Sequence, residues 1–172
     1  MLKLLGSIVV TIAGGLTGMV IARSYSLRPV ELRYLQSALQ MLETEITYTA
    51  TPLAEALGLV AARADNRVAP LFEQTRAELL SMSGCTAGEA WENALRKFYP
   101  QSALLTCDFS ILRSLGSALG ISDSRDQSKH LRLAMEQIGM EINRAESNAL
   151  RHVKLWNYLG FLGGLVIVLL FY

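Results

Sequence analysis

Histidine and cysteine are scarce, with two of each in 172 residues. A hydrolase needs a nucleophile with an oriented base beside it, and only His130 and His152 offer an imidazole. His152 follows Arg151 and precedes Lys154 at the edge of an apolar run, a place that suits an interface better than catalysis. Cys85 and Cys107 do not stand in a zinc-type spacing, and no calcium-loop spacing occurs. There is no glycine-rich phosphate loop, so no nucleotide site is expected. Catalytic, cofactor and metal residues are therefore expected to be none. Aromatic residues make up only 8% and net charge is +1, with no stripe of alternating basic and aromatic residues. That excludes a broad polyanion-binding field and argues against nucleic acid as a partner. Strand-like alternation, internal repeats, low-complexity stretches and long linkers are also missing.

What the chain has is apolar sequence, 51% overall with a mean hydropathy of +0.30. The excess sits at the ends. Residues 4–22 contain no charge, and neither do residues 155–172. All 15 acidic residues, and every basic residue except Lys3, lie between these runs. A bilayer core of roughly 30 Å takes about 20 apolar residues as helix, so both runs are expected to span. Trp156 and Tyr158 open the second run and Phe171 and Tyr172 close it, the pattern of interfacial aromatic belts. The first run also fits a cleaved signal peptide, with Lys3 ahead of it and Val20-Ile21-Ala22 as a cleavage site. Against that, Arg23 and Arg28 follow at once and resist export. The expected division is an N-terminal transmembrane helix (1–24), a helical domain (25–154) and a C-terminal transmembrane helix (155–172). About 130 residues between the ends suffice for a core. Arg23, Arg28, Arg33, Arg144, Arg151 and Lys154 flank the runs on the central side, against Lys3 on the other. This imbalance predicts a cytoplasmic central domain in contact with membrane lipid, where both cysteines would stay free and reduced.

The central region reads as six helices. Pro29 suits a first turn, and Leu32, Leu35, Leu39, Leu42 and Ile46 form one stripe on a helix over 29–49. Thr51-Pro52 stops it and starts a short helix with Leu53, Leu57 and Val60, Thr51 capping and Pro52 in the first position. A third helix holds Val68, Leu71, Phe72, Leu79 and Leu80 and ends before Gly84. Thr86 and Glu89 form a capping box for a fourth, which presents Trp91, Leu95 and Phe98 until Pro100 breaks it. A fifth starts near Thr106, with Phe109, Leu112, Leu115 and Leu119 inward and Gly120 as its C-terminal cap. The sixth opens at 122–127 and carries Leu131, Ala134, Met135, Ile138, Ile142, Ala145 and Ala149. With no breaker before the second apolar run, it is expected to continue to 172, a length of about 70 Å.

Two features invite partners. The polar stretch from Ser122 to Arg132 reads as a solvated first turn, with Asp123 and Asp126 suiting the helix dipole and Asp126 placed four before His130. It also reads as a docking site, so Asp123, Asp126, Gln127, His130 and Arg132 are the candidate interface. Gly14 with Gly18, and Gly160 with Gly164, give each apolar run a flat face on which another helix can pack.

The order of short motifs resembles the stage III sporulation protein AB family across essentially the whole chain. An apolar run leads into Arg28-Pro29-x-Glu31-Leu32-Arg33-x-Leu35-Gln36, then Glu43-Thr44-Glu45-Ile46 and Thr51-Pro52-Leu53-Ala54-Glu55-Ala56. Thr86-Ala87-x-Glu89-Ala90-Trp91, Leu115-Gly116-x-x-Leu119-Gly120, Asp126-Gln127 and Lys129-His130-Leu131-Arg132-Leu133-Ala134 follow, with Gly160-x-Leu162-Gly163-Gly164-Leu165 at the end. The family often has a glycine before the glutamine, where Asp126 stands here. The resemblance implies an all-α bundle like one F domain of the inner-membrane platform of type II secretion and type IV pilus systems. It implies a place in the channel complex of the mother-cell membrane around the forespore. It also implies as partners a secretion-type cytoplasmic ATPase, stage III sporulation protein AA, and other stage III sporulation channel proteins; separately, two copies of the chain could combine as a homo-oligomer to imitate a platform with paired domains. The expected function is that of a non-enzymatic membrane platform. The rival readings are a membrane-embedded enzyme or receptor, for which the runs offer only Ser7, Thr11, Thr17 and Asn157 as polar groups, and a helical scaffold or signalling protein independent of an ATPase.

Overall fold

The computed structural model describes residues 26–81, 84–120 and 124–171; for Ser124 and for 150–171 it describes the helical backbone alone. Among the described residues the regular structure is all helical, without a strand. Helix α1 covers 26–47. It is followed by α2 (Leu53–Arg63), α3 (Ala69–Leu80), α4 (Ala87–Phe98), a 3-10 turn at Tyr99–Gln101, α5 (Thr106–Gly116) and α6 (Ser124–Phe171). The chain divides into two compact units, Val30–Ile142 and a second made of Met1–Pro29 with Asn143–Tyr172. Among the described residues no helix is long and apolar enough to cross a membrane. The run 4–22 lies outside them, and 155–172 falls where side chains are not described.

The stripe on α1 is the floor of the core: Leu32, Leu35, Leu39 and Leu42 are fully buried. The helix is already formed at Ser26, ahead of the expected start. Pro29 therefore sits within it, which its fixed φ permits near a helix N-terminus. The other end comes two residues early, and Ala50 takes a left-handed conformation with φ of 49°. An L-residue there costs about 1–2 kcal/mol. The turn is held by the Thr51 N–H to Glu45 O (3.1 Å), while Arg63 pairs with the Glu45 carboxylate at 3.3 Å. Pro52 is the N-cap of α2, so the helix starts one residue later than expected, and the Pro52 carbonyl accepts from the Glu55 and Ala56 N–H groups. The Thr51 hydroxyl turns back to Glu45 instead of capping.

Helix α2 packs on α3, α3 on α4, and α4 on α5. The capping box opens α4 as the sequence indicates: Thr86 Oγ1 accepts from the Glu89 N–H (3.3 Å), and Glu89 Oε2 accepts from the Thr86 N–H (2.8 Å). Trp91 is fully buried, meets Phe72 edge to face at 5.8 Å, and donates its indole N–H to Leu112 O at 2.7 Å. Fully buried, with its N–H satisfied, it contributes both area and orientation. Gly116 makes this approach of α4 and α5 workable, since a Cβ there would lie 2.4 Å from Trp91 Cδ1. Phe98 ends α4 and Pro100 follows in the 3-10 turn. Helix α5 stops at Gly116 with Ser117 as its C-cap, short of the expected end, so Gly120 does not cap it but takes its left-handed φ of 77° in the turn that follows. Leu112, Leu115 and Leu119 are buried, and Phe109 is half-buried against Tyr99. On α6, Leu131, Ala134, Ile138, Ile142 and Ala145 are buried and Met135 is half-buried.

Candidate functional site

Polar side chains bind α6 to α1. Glu43 is 8% exposed, and one of its oxygens, Oε1, accepts from the Ser128 hydroxyl at 2.8 Å and from Arg132 Nε at 2.6 Å. A buried carboxylate must be compensated, and a hydroxyl with a guanidinium does so. One turn further along α6, the Gln36 amide donates to Met135 O at 3.0 Å. The helix ladder assigns that carbonyl to the Gly139 N–H as well. Gly139 leaves the room, because a Cβ there would lie 3.2 Å from Gln36 Nε2.

Of the residues singled out in the sequence, Arg132 thus serves an internal clasp, though its side chain remains 61% exposed. Asp126 pairs with Lys129 at 2.8 Å, not chiefly with His130. The Lys129 ammonium holds its carboxyl below the usual range, and His130 adds a smaller pull. Spacing alone allowed either partner; the i,i+3 lysine reaches it with a longer, more flexible chain. His130 is exposed and Gln127 half-buried. Asp123, Gly14 and Gly18 lie outside the described residues, and Gly160 and Gly164 fall where only backbone is described.

Two clusters escaped the sequence. Glu31, 6% exposed, accepts from the Ala103 N–H at 2.7 Å, which ties the start of α1 to the segment before α5. Burial lifts its carboxyl above the usual range, against the opposing pull of the Ala103 N–H and Arg67. Cys107, Asp108 and Glu141 bring a thiol and two carboxylates within 4.8 Å, the Cys107 thiol donating to Glu141 Oε2 at 3.5 Å. Both carboxylates take part in further polar interactions. Neither cluster is announced by spacing, since the residues are 72 and 34 positions apart.

The outer face of α6 also departs from a solvated helix. Leu133 and Met140 are 51% and 55% exposed. Met140 edges a groove of about 370 Å³ between α5 and α6, lined also by Ser110, Ile111, Ser114, Gln137 and Glu141. Four of these six lining residues are polar, and the groove is open to solvent.

Comparison with known proteins agrees with the order of motifs. The family model for stage III sporulation protein AB matches residues 3–172. Stage III sporulation protein AB of Bacillus subtilis (strain 168) is 36% identical over 170 residues, covering 99% of both chains. A solved structure of a stage III sporulation protein AB is 34% identical, with a TM-score of 0.67 over 72% of this chain and 97% of that one.

Proposed function

The chain belongs to the stage III sporulation protein AB family and so has a role in sporulation; we propose that its part there is that of a non-enzymatic membrane platform. In this reading the runs 4–22 and 155–172 anchor it in the mother-cell membrane around the forespore, with the helical domain in the cytoplasm. The bundle acts as an F-domain-like base that docks a secretion-type ATPase, the stage III sporulation protein AA of the resemblance. The glycine faces pack against channel components.

The observation that carries the reading is the distribution of charge along a chain that matches its family from end to end. Every acidic residue lies between two charge-free runs, and basic residues crowd the inner flank of each. Such a chain places its titratable surface on one side of a membrane. Helix α6 supports a coupling role, being assigned without interruption from Ser124 to Phe171.

The test is direct. The full chain, reconstituted in lipid nanodiscs, is titrated with the purified ATPase, and complex formation is read by co-sedimentation. Saturable binding is expected. No binding, with both proteins folded, would favour the second reading, a scaffold or signalling protein without an ATPase.

A further inference from the structure

The connector between α4 and α5 is gripped from two sides by carboxylates. Residues 98–107 carry no charge of their own. Glu31 Oε2 on α1 accepts from the Ala103 N–H at 2.7 Å, and Asp108 Oδ2 on α5 accepts from the Leu105 N–H at 2.8 Å. Leu104, between the two gripped amides, is only 6% exposed, whereas Leu105 faces water at 51%. The two bonds thus hold Leu104 in the core.

The two grips differ in kind. Asp108 caps its own helix, three residues from the amide it holds, so this bond survives as long as α5 does. Glu31 reaches across 72 positions, and its bond lasts only while the connector lies against α1. Glu31 and Asp108 are both buried. A buried carboxylate gains water when the connector lifts, and it gains most when it is charged.

The charges around Glu31 come from several elements. Arg67, in the turn between α2 and α3, favours its ionisation and stands 5.7 Å over the Tyr34 ring of α1. Asp108 of α5 opposes it. Beside Asp108 lie the Cys107 thiol and, on α6, the Glu141 carboxylate. On α1 itself Arg28 precedes Glu31 by three residues and is likewise buried. Burial outweighs the pull of the Ala103 N–H and of Arg67, so ionised Glu31 is held less firmly than neutral Glu31.

We infer that Glu31 is a proton-operated latch on this connector. Neutral, it keeps the connector closed on α1. Once its proton has passed to water, the connector opens more often and uncovers Leu104. The latch belongs to the helical domain and rests on neither the membrane nor the ATPase reading. Linkage sets its window: in the open state Glu31 titrates near the ordinary value of 4.5, and in the closed state above it. The closed form is therefore most favoured below 4.5, loses ground by about tenfold per pH unit above it, and levels off once Glu31 is ionised in both states.

The experiment is hydrogen exchange of the full chain in lipid nanodiscs, from about pH 4 to about pH 8. It is read by mass spectrometry on the peptide spanning 99–105 and corrected for intrinsic exchange. Wild-type protection of this peptide is expected to fall about tenfold per pH unit above 4.5 and then to level off. E31Q is expected to be flat over the same range. R67Q removes a favourable charge and is expected to move the levelling-off to higher pH. D108N removes an unfavourable one and is expected to move it lower. A structural disturbance alone would not send the two variants in opposite directions. Urea too dilute to unfold the domain is expected to leave the connector's protection unchanged while reducing that of the α1 peptide spanning 32–42. Flat wild-type protection, or the same pH dependence in E31Q, would overturn the latch. So would equal protection of the two peptides at every pH and urea concentration, since the connector would then open only with the whole domain. If E31Q does not fold, R67Q decides, and an unmoved levelling-off overturns the inference.

Discussion

At the scale of single residues, strain and burial make sharp predictions. Ala50 pays for its left-handed turn, and glycine there relieves the Cβ clash while giving the unfolded chain more freedom. A50G is expected to stabilise the protein by about 0.5–1 kcal/mol, seen as a raised Tm. Gly116→Ala is expected to do the reverse. Its methyl group would press into the Trp91 ring, and overpacking of a tight core costs about 1–3 kcal/mol. Glu31 makes stability depend on pH. Its folded pKa is raised, so the protonated carboxyl favours the fold below the ordinary value of 4.5, and that contribution fades as pH rises through the folded pKa. E31Q keeps an acceptor for the Ala103 N–H without a charge. It should therefore match the wild type in acid and gain on it as pH climbs toward neutrality, measured by Tm against pH. A constant difference between the two across this range would show that Glu31 does not titrate with folding.

At the scale of elements, the clasp between α1 and α6 is the informative case. Removing Glu43 leaves the Ser128 hydroxyl buried without its acceptor, whereas removing Arg132 leaves Glu43 with one donor still in place. E43A is therefore expected to cost about 1.5–3 kcal/mol, and R132A about 0–1 kcal/mol because the guanidinium is largely in water. Equal costs in thermal unfolding would place the energy in the ion pair alone. This clasp was illegible in the sequence, for its members are 89 and 85 positions apart. What was legible is local. The Thr86–Glu89 box and the breaker at Pro100 act within a few residues of themselves, so the ends of α4 read directly, whereas α5 ends at Gly116, ahead of the glycine that the sequence offers as its cap. The end of α1 did not read directly either, because alanine occupies a position where glycine would have announced the turn. The proposed interface residues Asp126, Gln127, His130 and Arg132 lie on α6, but which of them face inward was not legible, since periodicity names a face without saying which of its charges a distant helix has claimed.

At the scale of the whole molecule, the prediction concerns the ends. The full chain is expected to stay with membranes after alkaline carbonate extraction, and a chain reduced to 25–154 is expected to be released. Release of the full chain would remove the spanning reading while leaving family membership untouched. The same chain also holds a natural reporter. Because Gln36 and the Gly139 N–H converge on one carbonyl, that of Met135, this C=O bond is weaker than its neighbours in α6. A single carbon-13 label at the Met135 carbonyl would give it an infrared band at lower frequency than an ordinary helical amide. Any event that draws α1 away from α6 would return that band to its ordinary place, so a partner's arrival could be followed by light absorption at one bond.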